Sequence, residues 1–137
     1  MLYVPLLTKF LRLPIFSARI SAGFPSPAED HIEQTLDISE LLVTNPPATF
    51  YLRVIGDSMV DAGIFEKDIL VVDRSRNAKH GDIIVAQYQS EFTVKRLYCR
   101  GGKVSLVPEN ENYKTINVVD SDGFEVFGVV SGIVRQL

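Results

Sequence analysis

Two residues of this chain could together carry out nucleophilic chemistry, a serine in a glycine turn and a lysine in a later strand. Ser58 stands in the segment GDSM (residues 56–59), and Lys95 follows 37 residues later in FTVK (residues 92–95). A serine is a poor nucleophile at neutral pH and needs a neighbouring base, which an amine supplies when its pKa is low enough. Ser58 is therefore the candidate nucleophile and Lys95 the candidate base.

The lysine can act as a base only if the protein lowers its pKa. An ordinary lysine, with a pKa of about 10.4, is almost entirely protonated at neutral pH. In an alternating strand Lys95 shares a face with Thr93 and Leu97, and burial of that face would favour the neutral amine. Each residue also has an ordinary explanation, because Gly-Asp-Ser is common turn chemistry and a strand lysine is usually solvated.

Other catalytic arrangements are less well supported. A Ser-His-Asp hydrolase would need His80, but Val60 occupies the second glycine position of the Gly-x-Ser-x-Gly pattern. Cys99 as a nucleophile would have only arginines as basic neighbours, so we interpret it as a small, half-buried strand residue. It is the single cysteine, so no internal disulfide can form, and the two histidines have no metal-ligand spacing. We expect no metal and no cofactor.

Most of the chain after residue 48 has the composition of strands. Segments rich in Val, Ile, Phe, Tyr and Thr alternate with Gly, Asn, Asp and Ser, and no long helical period competes with them. Hairpin turns are expected at Gln89-Ser90 and Gly101-Gly102. The fold class is mainly β, a compact twisted antiparallel core. The predicted strands are Thr49–Ile55, Asp68–Asp73, Asp82–Tyr88, Glu91–Arg100, Lys103–Pro108 and Phe124–Val134.

The stretch before these strands reads as a connector interrupted by prolines. Residues 24–47 contain four prolines, which disfavour regular structure. One short helix is expected from Asp37 to Val43, with Asp37 as N-cap and Glu40 three residues on. Its apolar residues, Ile38, Leu41 and Leu42, share a face that we expect to pack on the core.

Composition limits the function further. A chain of 137 residues with 46% hydrophobic residues suits one domain with one core. The net charge of −3 and the lack of a basic block argue against direct DNA binding as a function. The apolar N-terminal run precedes its positive charges, unlike an export signal, and is too short to span a membrane. We therefore expect a cytoplasmic protein with no membrane attachment.

From about Gly23 to Leu137 the chain resembles the UmuD group of the LexA-like self-cleaving serine peptidases, which includes the accessory subunit of translesion polymerase V. Six motifs in order carry the resemblance. They are AGFPSPA (22–28), GDSM (56–59) before Gly63-Ile64, DILVVD (68–73), HGDI (80–83), FTVK (92–95) and VFGVV (126–130).

The resemblance implies a Ser-Lys dyad of Ser58 and Lys95 that cuts the Ala22-Gly23 bond. It divides the chain into an arm removed by cleavage (1–22), a connector (23–47) and a β-rich peptidase and dimerisation domain (48–137). The turn geometry suggests the backbone N–H groups of Asp57 and Ser58 as oxyanion donors. A helix-turn-helix would not fit into 22 residues, so the resemblance is to the mutagenesis subunit and not to the repressor.

The resemblance also implies partners. These are a RecA filament on single-stranded DNA as activator, a second copy of the chain in a homodimer, and a Y-family DNA polymerase (UmuC-like) served in the bacterial SOS response. A different class remains open, a non-catalytic partner-binding subunit in which Ser58 and Lys95 are only structural. A signal-peptidase relative with the same dyad is disfavoured because no membrane anchor is evident.

Overall fold

The computed structural model describes residues 11–16 and 32–137. The chain divides into two compact units, residues 1–44 and 45–137. Within its described residues, the first unit contains strands β1 (Leu13–Phe16) and β2 (Ile32–Leu36), which pair antiparallel, and helix α1 (Ile38–Leu42). An ion pair between Arg12 and Glu40 links β1's flank to the helix.

Helix α1 begins as the sequence predicts. The carboxylate of Asp37 accepts a hydrogen bond from the backbone N–H of Ser39 at 2.8 Å, which satisfies one of the free donors of the first turn. Ile38 and Leu41, on the face that the sequence predicts to pack on the core, are 57% and 59% exposed. The packing of this helix on the core of the second unit stays a prediction. A five-residue helix covers little area, so helical spacing alone does not determine whether a face is buried.

Strands β1 and β2 were not expected from the sequence. The prediction that the proline-rich stretch lacks regular structure is wrong for residues 32–36. The segment IEQTL has weak strand propensity, and its conformation depends on pairing with residues 13–16, far away in sequence. Local composition therefore carried no signal for this sheet.

The second unit is built on one seven-stranded antiparallel sheet in the order β3-β4-β9-β5-β6-β7-β8. All six strands predicted for this region are present, and their ends agree with the prediction within two residues. The mainly β fold class is confirmed. The strands are β3 (Thr49–Arg53), β4 (Ile69–Asp73), β5 (Ile83–Tyr88), β6 (Glu91–Arg100), β7 (Lys103–Val107), β8 (Ile116–Asn117) and β9 (Glu125–Val134).

Tight turns set the register of the β5-β6 and β6-β7 hairpins. Gln89 and Ser90 have φ of 51° and 66°, and Gly101 and Gly102 have φ of 58° and 74°. Positive φ at both central residues is the type I′ geometry that matches the twist of a hairpin. Both hairpins lie where the sequence predicts them, and the first places the strand of Lys95 against β5.

Apolar side chains lie on both faces of the sheet in two clusters. On β5, Val85 belongs to one cluster while its neighbours Ile84 and Ala86 belong to the other, as alternation along a strand requires. The first cluster also contains Met59, which is 2% exposed. Burial of Met59 anchors the segment that carries Ser58 to the core.

A glycine in the centre of the sheet allows β9 to approach β4 closely. A Cβ at Gly128 would lie 2.6 Å from Cγ1 of Val72 and 3.1 Å from the carbonyl oxygen of Asp73. Val72 is fully buried, so it has little room to move. We expect Gly128→Ala to lower the free energy of unfolding by about 1–3 kcal/mol through overpacking, measured by chemical denaturation.

Val72→Ala supplies the control for this prediction, because it removes the nearest clashing atom. In the double variant the two losses should be clearly less than additive. Additive losses, or wild-type stability of Gly128→Ala, would show that the close approach does not limit this position.

Candidate active site

The serine lies in a turn whose backbone requires glycine. Gly56 has φ of 88°, in the left-handed region that a residue with a Cβ rarely adopts. Ser58 follows two residues later and is partly buried, and the buried Met59 fixes the other side. The turn therefore presents the Ser58 hydroxyl on a backbone held at both ends.

Lys95 lies in the central part of β6, and its side chain reaches this turn. Its side chain is 8% exposed, and its Nζ donates to Ser58 Oγ at 3.1 Å, to Thr93 Oγ1 at 2.7 Å and to the carbonyl oxygen of Val94 at 3.0 Å. Thr93 lies on the same face of β6, whereas Arg96 points to the other side, as alternation predicts. The structure thus brings Ser58 and Lys95 into direct contact.

The neutral form of Lys95 is favoured more strongly at this buried position than it would be at an exposed one. Burial lowers the pKa of Lys95 below its ordinary value, because the ammonium loses solvating water. The three acceptors match the three N–H donors of the ammonium. When the amine is neutral, two N–H groups can remain on Thr93 and Val94 while the lone pair accepts the proton of Ser58.

An apolar groove of about 490 Å³ opens beside the serine and the lysine. Its wall includes Phe92 and Phe127, whose rings meet edge to face at 5.5 Å between centroids. A groove of this kind can hold an extended peptide and exclude water from the reacting groups. Other apolar residues along it are Leu52, Val54, Ile55, Leu70 and Val85.

The carbonyl groups of the serine turn are occupied by a neighbouring loop. The carbonyl oxygen of Ser58 accepts from the backbone N–H of Glu109 at 2.8 Å, and that of Asp57 accepts from Asn110 Nδ2 at 2.9 Å. Among the described residues, the backbone N–H groups of Asp57 and Ser58 have no hydrogen-bond acceptor. No protein acceptor in this part of the chain competes for them, and their function as oxyanion donors stays a prediction.

The remaining sequence-predicted residues lie elsewhere. Ala22 and Gly23 fall outside the described residues, so their position stays a prediction. His80 contacts Cys99, whose backbone N–H donates to its Nδ1 at 3.0 Å, and its ring packs on Tyr98 at 4.9 Å. Cys99 is exposed, and the expectation that it is half-buried is wrong.

Neither a metal site nor a membrane-spanning helix is evident in the described residues. No cluster of three or more potential metal ligands occurs within residues 11–16 and 32–137. In the same ranges no helix has the length and apolar character needed to cross a membrane.

Sequence reasoning missed the loop of residues 108–115, which follows β7 and contacts the serine turn. Its sequence, PENENYKT, marks a turn by its proline and asparagines but carries no sign of what it contacts. Tyr113 in this loop donates its hydroxyl to Asp57 Oδ1, and that bond raises the pKa of Tyr113.

A serine hydroxyl in contact with a buried amine, beside a groove on an antiparallel β domain, is typical of serine hydrolases that use lysine in place of histidine. Comparison with known proteins gives a family. Residues 14–131 match the Peptidase S24-like family. The chain belongs to this family and is a UmuD-type, self-cleaving serine peptidase related to the SOS response to DNA damage.

Individual relatives agree over most of the chain. It is 46% identical to the protein MucA of Escherichia coli over 120 residues, which are 87% of this chain and 82% of MucA. It is 40% identical to the protein SamA of Salmonella typhimurium over 123 residues, 90% of this chain and 85% of SamA. It is 42% identical to the LexA repressor of Paracidovorax citrulli over 126 residues, 92% of this chain but 55% of the repressor.

Proposed function

We propose that Ser58 and Lys95 are the catalytic dyad with which this peptidase cuts its own Ala22-Gly23 bond. The observation that carries the proposal is the 3.1 Å contact between Lys95 Nζ and Ser58 Oγ, made by a lysine that is 8% exposed. A lysine with only a structural role would not require contact with a serine hydroxyl beside an apolar groove.

The first half of the proposed reaction forms an acyl-enzyme. Neutral Lys95 takes the proton of the Ser58 hydroxyl while Oγ attacks the carbonyl carbon of Ala22, and the carbonyl electrons move onto oxygen. The backbone N–H groups of Asp57 and Ser58 stabilise that oxyanion. The C–N bond then breaks, and the Lys95 ammonium returns its proton to the amine of Gly23.

The second half releases the arm. Lys95, neutral again, removes a proton from water, whose oxygen attacks the ester carbonyl of Ala22. The ester bond breaks, Ser58 Oγ regains a proton from Lys95, and residues 1–22 leave with a new carboxylate. No cofactor takes part in these steps, because every proton and electron pair is supplied by the dyad, the peptide and water.

The product is proposed to act in a polymerase complex. Residues 23–137, as a homodimer in the cytoplasm, assist a Y-family translesion DNA polymerase, and a RecA filament on single-stranded DNA promotes the cleavage. Membership of the UmuD-type group supports this role. Light scattering of the cleaved protein tests the homodimer, and co-purification with a UmuC-like polymerase tests the partner.

Mass spectrometry of the purified chain during incubation at alkaline pH tests the cleavage itself. Loss of residues 1–22 supports the dyad. An unchanged mass, together with retained binding to the polymerase, would instead favour the non-catalytic partner-binding subunit.

The proposed bond predicts a steric requirement. Small residues on both sides let an extended backbone approach Ser58, so Gly23→Glu or Ala22→Trp should lower the rate of self-cleavage at least about a hundredfold. Gel electrophoresis of time points at alkaline pH measures that rate. Ala28→Glu is the matched control, because it adds the same charge five residues beyond the bond and should cleave normally. Unchanged rates of cutting in both Gly23→Glu and Ala22→Trp would place the cleavage site elsewhere.

A further inference from the structure

One residue, Glu109, holds the serine turn on both sides through its backbone. Its N–H donates to the carbonyl oxygen of Ser58, and its carbonyl oxygen accepts from the N–H of Asp61, both at 2.8 Å. Both backbone groups of Glu109 are therefore bonded to the segment of residues 58–61. The position of Glu109 therefore sets the position of the backbone that carries the Ser58 hydroxyl.

The same loop holds the residue before the serine. Asn110 Nδ2 donates to the carbonyl oxygen of Asp57 at 2.9 Å, and the Tyr113 hydroxyl donates to its carboxylate. Within the loop, the N–H of Tyr113 donates to the carbonyl oxygen of Asn110 at 3.1 Å. The serine turn and residues 109–113 thus form one hydrogen-bonded body.

The side chain of Glu109 connects this body to the strand of the lysine. Its Oε1 accepts from Nε of Arg96 at 2.5 Å, and Arg96 Nη1 donates to the carbonyl oxygen of Gly81 at 2.6 Å. Arg96 is adjacent to Lys95 in β6 and lies on the opposite face of that strand. A continuous series of contacts therefore runs from the backbone of Lys95 through Arg96 and Glu109 to Ser58.

We propose that Glu109, anchored by Arg96, is a positioning residue that holds Ser58 within hydrogen-bond reach of Lys95. The inference rests on the proposed dyad. It assigns a specific function to the ion pair of Arg96 and Glu109, which lies on the face of β6 opposite Lys95. Both side chains of the pair are 29% exposed, so the contact is partly shielded from water and salt. A surface ion pair without this function would affect stability by little and reactivity not at all.

A thiol in place of the Ser58 hydroxyl provides a direct measure of this position. The probe is the full chain with Ser58→Cys and Cys99→Ser, in which the introduced thiol is the single one and can be titrated by its rate of iodoacetamide alkylation against pH. An ordinary thiol has a pKa of about 8.5, and a lysine ammonium in contact lowers it. With Glu109 intact, we expect the pKa of the introduced thiol to lie at least about one unit below that value.

Glu109→Gln in this background removes the charge of the anchor with almost no change in shape. We expect it to abolish more than half of the lowering of the thiol pKa, because the introduced thiol moves out of contact with Lys95. Glu111→Gln is the matched control in the same loop, since Glu111 is exposed and has no hydrogen bond or ion pair within the described part of the chain. It should leave the thiol pKa unchanged.

Self-cleavage of the chain with Ser58 present gives a second reading. Glu109→Gln should lower the rate about tenfold or more at every pH, without moving the pH at which the rate levels off, because the change displaces Ser58 and not the base. Arg96→Gln should have the same effect and replaces Glu109→Gln if that variant is unfolded at 25 °C by thermal denaturation. The double variant should be no slower than either single one.

The outcomes separate the two proposals. An ordinary pKa of the introduced thiol with Glu109 intact would contradict the Ser58-Lys95 dyad itself. A lowered pKa that survives Glu109→Gln, or a loss equalled by Glu111→Gln, would overturn the positioning function while leaving the dyad intact. Unfolding of both the Glu109 and the Arg96 variants would also overturn it, because the pair would then support the whole fold.

Discussion

Lys95→Arg should be unable to cleave itself at any pH, whereas the wild-type rate should rise about tenfold per pH unit above neutrality until the pKa of Lys95 is reached. A guanidinium stays charged above pH 12 and cannot accept the proton of Ser58. The rate is measured by mass spectrometry at intervals from pH 7 to 10. A wild-type rate that is flat over this range, or cutting by Lys95→Arg at high pH, would make Lys95 a structural lysine.

Protein stability provides a control for this prediction that does not depend on activity. Because burial lowers the pKa of Lys95, the unfolded chain binds more protons than the folded chain between the folded pKa and the ordinary value of 10.5. The free energy of unfolding of the wild type should therefore rise with pH in that window, relative to Lys95→Met. Comparison of the two proteins cancels the titration of Tyr88 and Tyr113, whose pKa values are raised by their carboxylate partners.

The same lysine offers a physical explanation for activation. A docked arm would cover Lys95, exclude water and lower its pKa further, and a RecA filament that favours docking would act through this effect. The activated rate should then level off at a lower pH than the spontaneous rate.

Ser58→Ala is expected to stop self-cleavage completely while the protein stays folded. The substitution removes the nucleophilic oxygen, and no other hydroxyl among the described residues shares the contact with Lys95 except that of Thr93. Loss of one partly buried hydroxyl should change the free energy of unfolding by about 1 kcal/mol or less. Cleavage by mass spectrometry and unfolding by denaturant are measured on the same preparation.

Ser105→Ala is a suitable control for the nucleophile, because it removes a serine hydroxyl that bonds to Asn117 between β7 and β8 and does not line the groove. It should cleave at the wild-type rate. Cutting at the same bond by Ser58→Ala would remove Ser58 from the mechanism and point to Thr93 as the hydroxyl to test next.

Much of the fold could be predicted because its signals are local. The strands from Thr49 onward are rich in β-branched and aromatic residues, which favour strands. Their hairpin turns contain residues that adopt positive φ. The N-cap at Asp37 is equally local, since it depends on a carboxylate and an N–H two residues away. Strands β1 and β2 were missed because each is short and pairs with a segment distant in sequence, and β8 was missed because it has only two residues.

For the site, the sequence by itself determined which residue types could react and, through strand alternation, that Lys95 and Thr93 share a face opposite Arg96. Only the tertiary structure decided that the lysine is buried and that its Nζ lies 3.1 Å from Ser58 Oγ. It alone revealed that Glu109 holds the serine turn and pairs with Arg96. The physical reason is that alternation is a property of neighbouring residues, whereas burial and hydrogen bonding between turn, strand and loop depend on how segments far apart in the chain pack together.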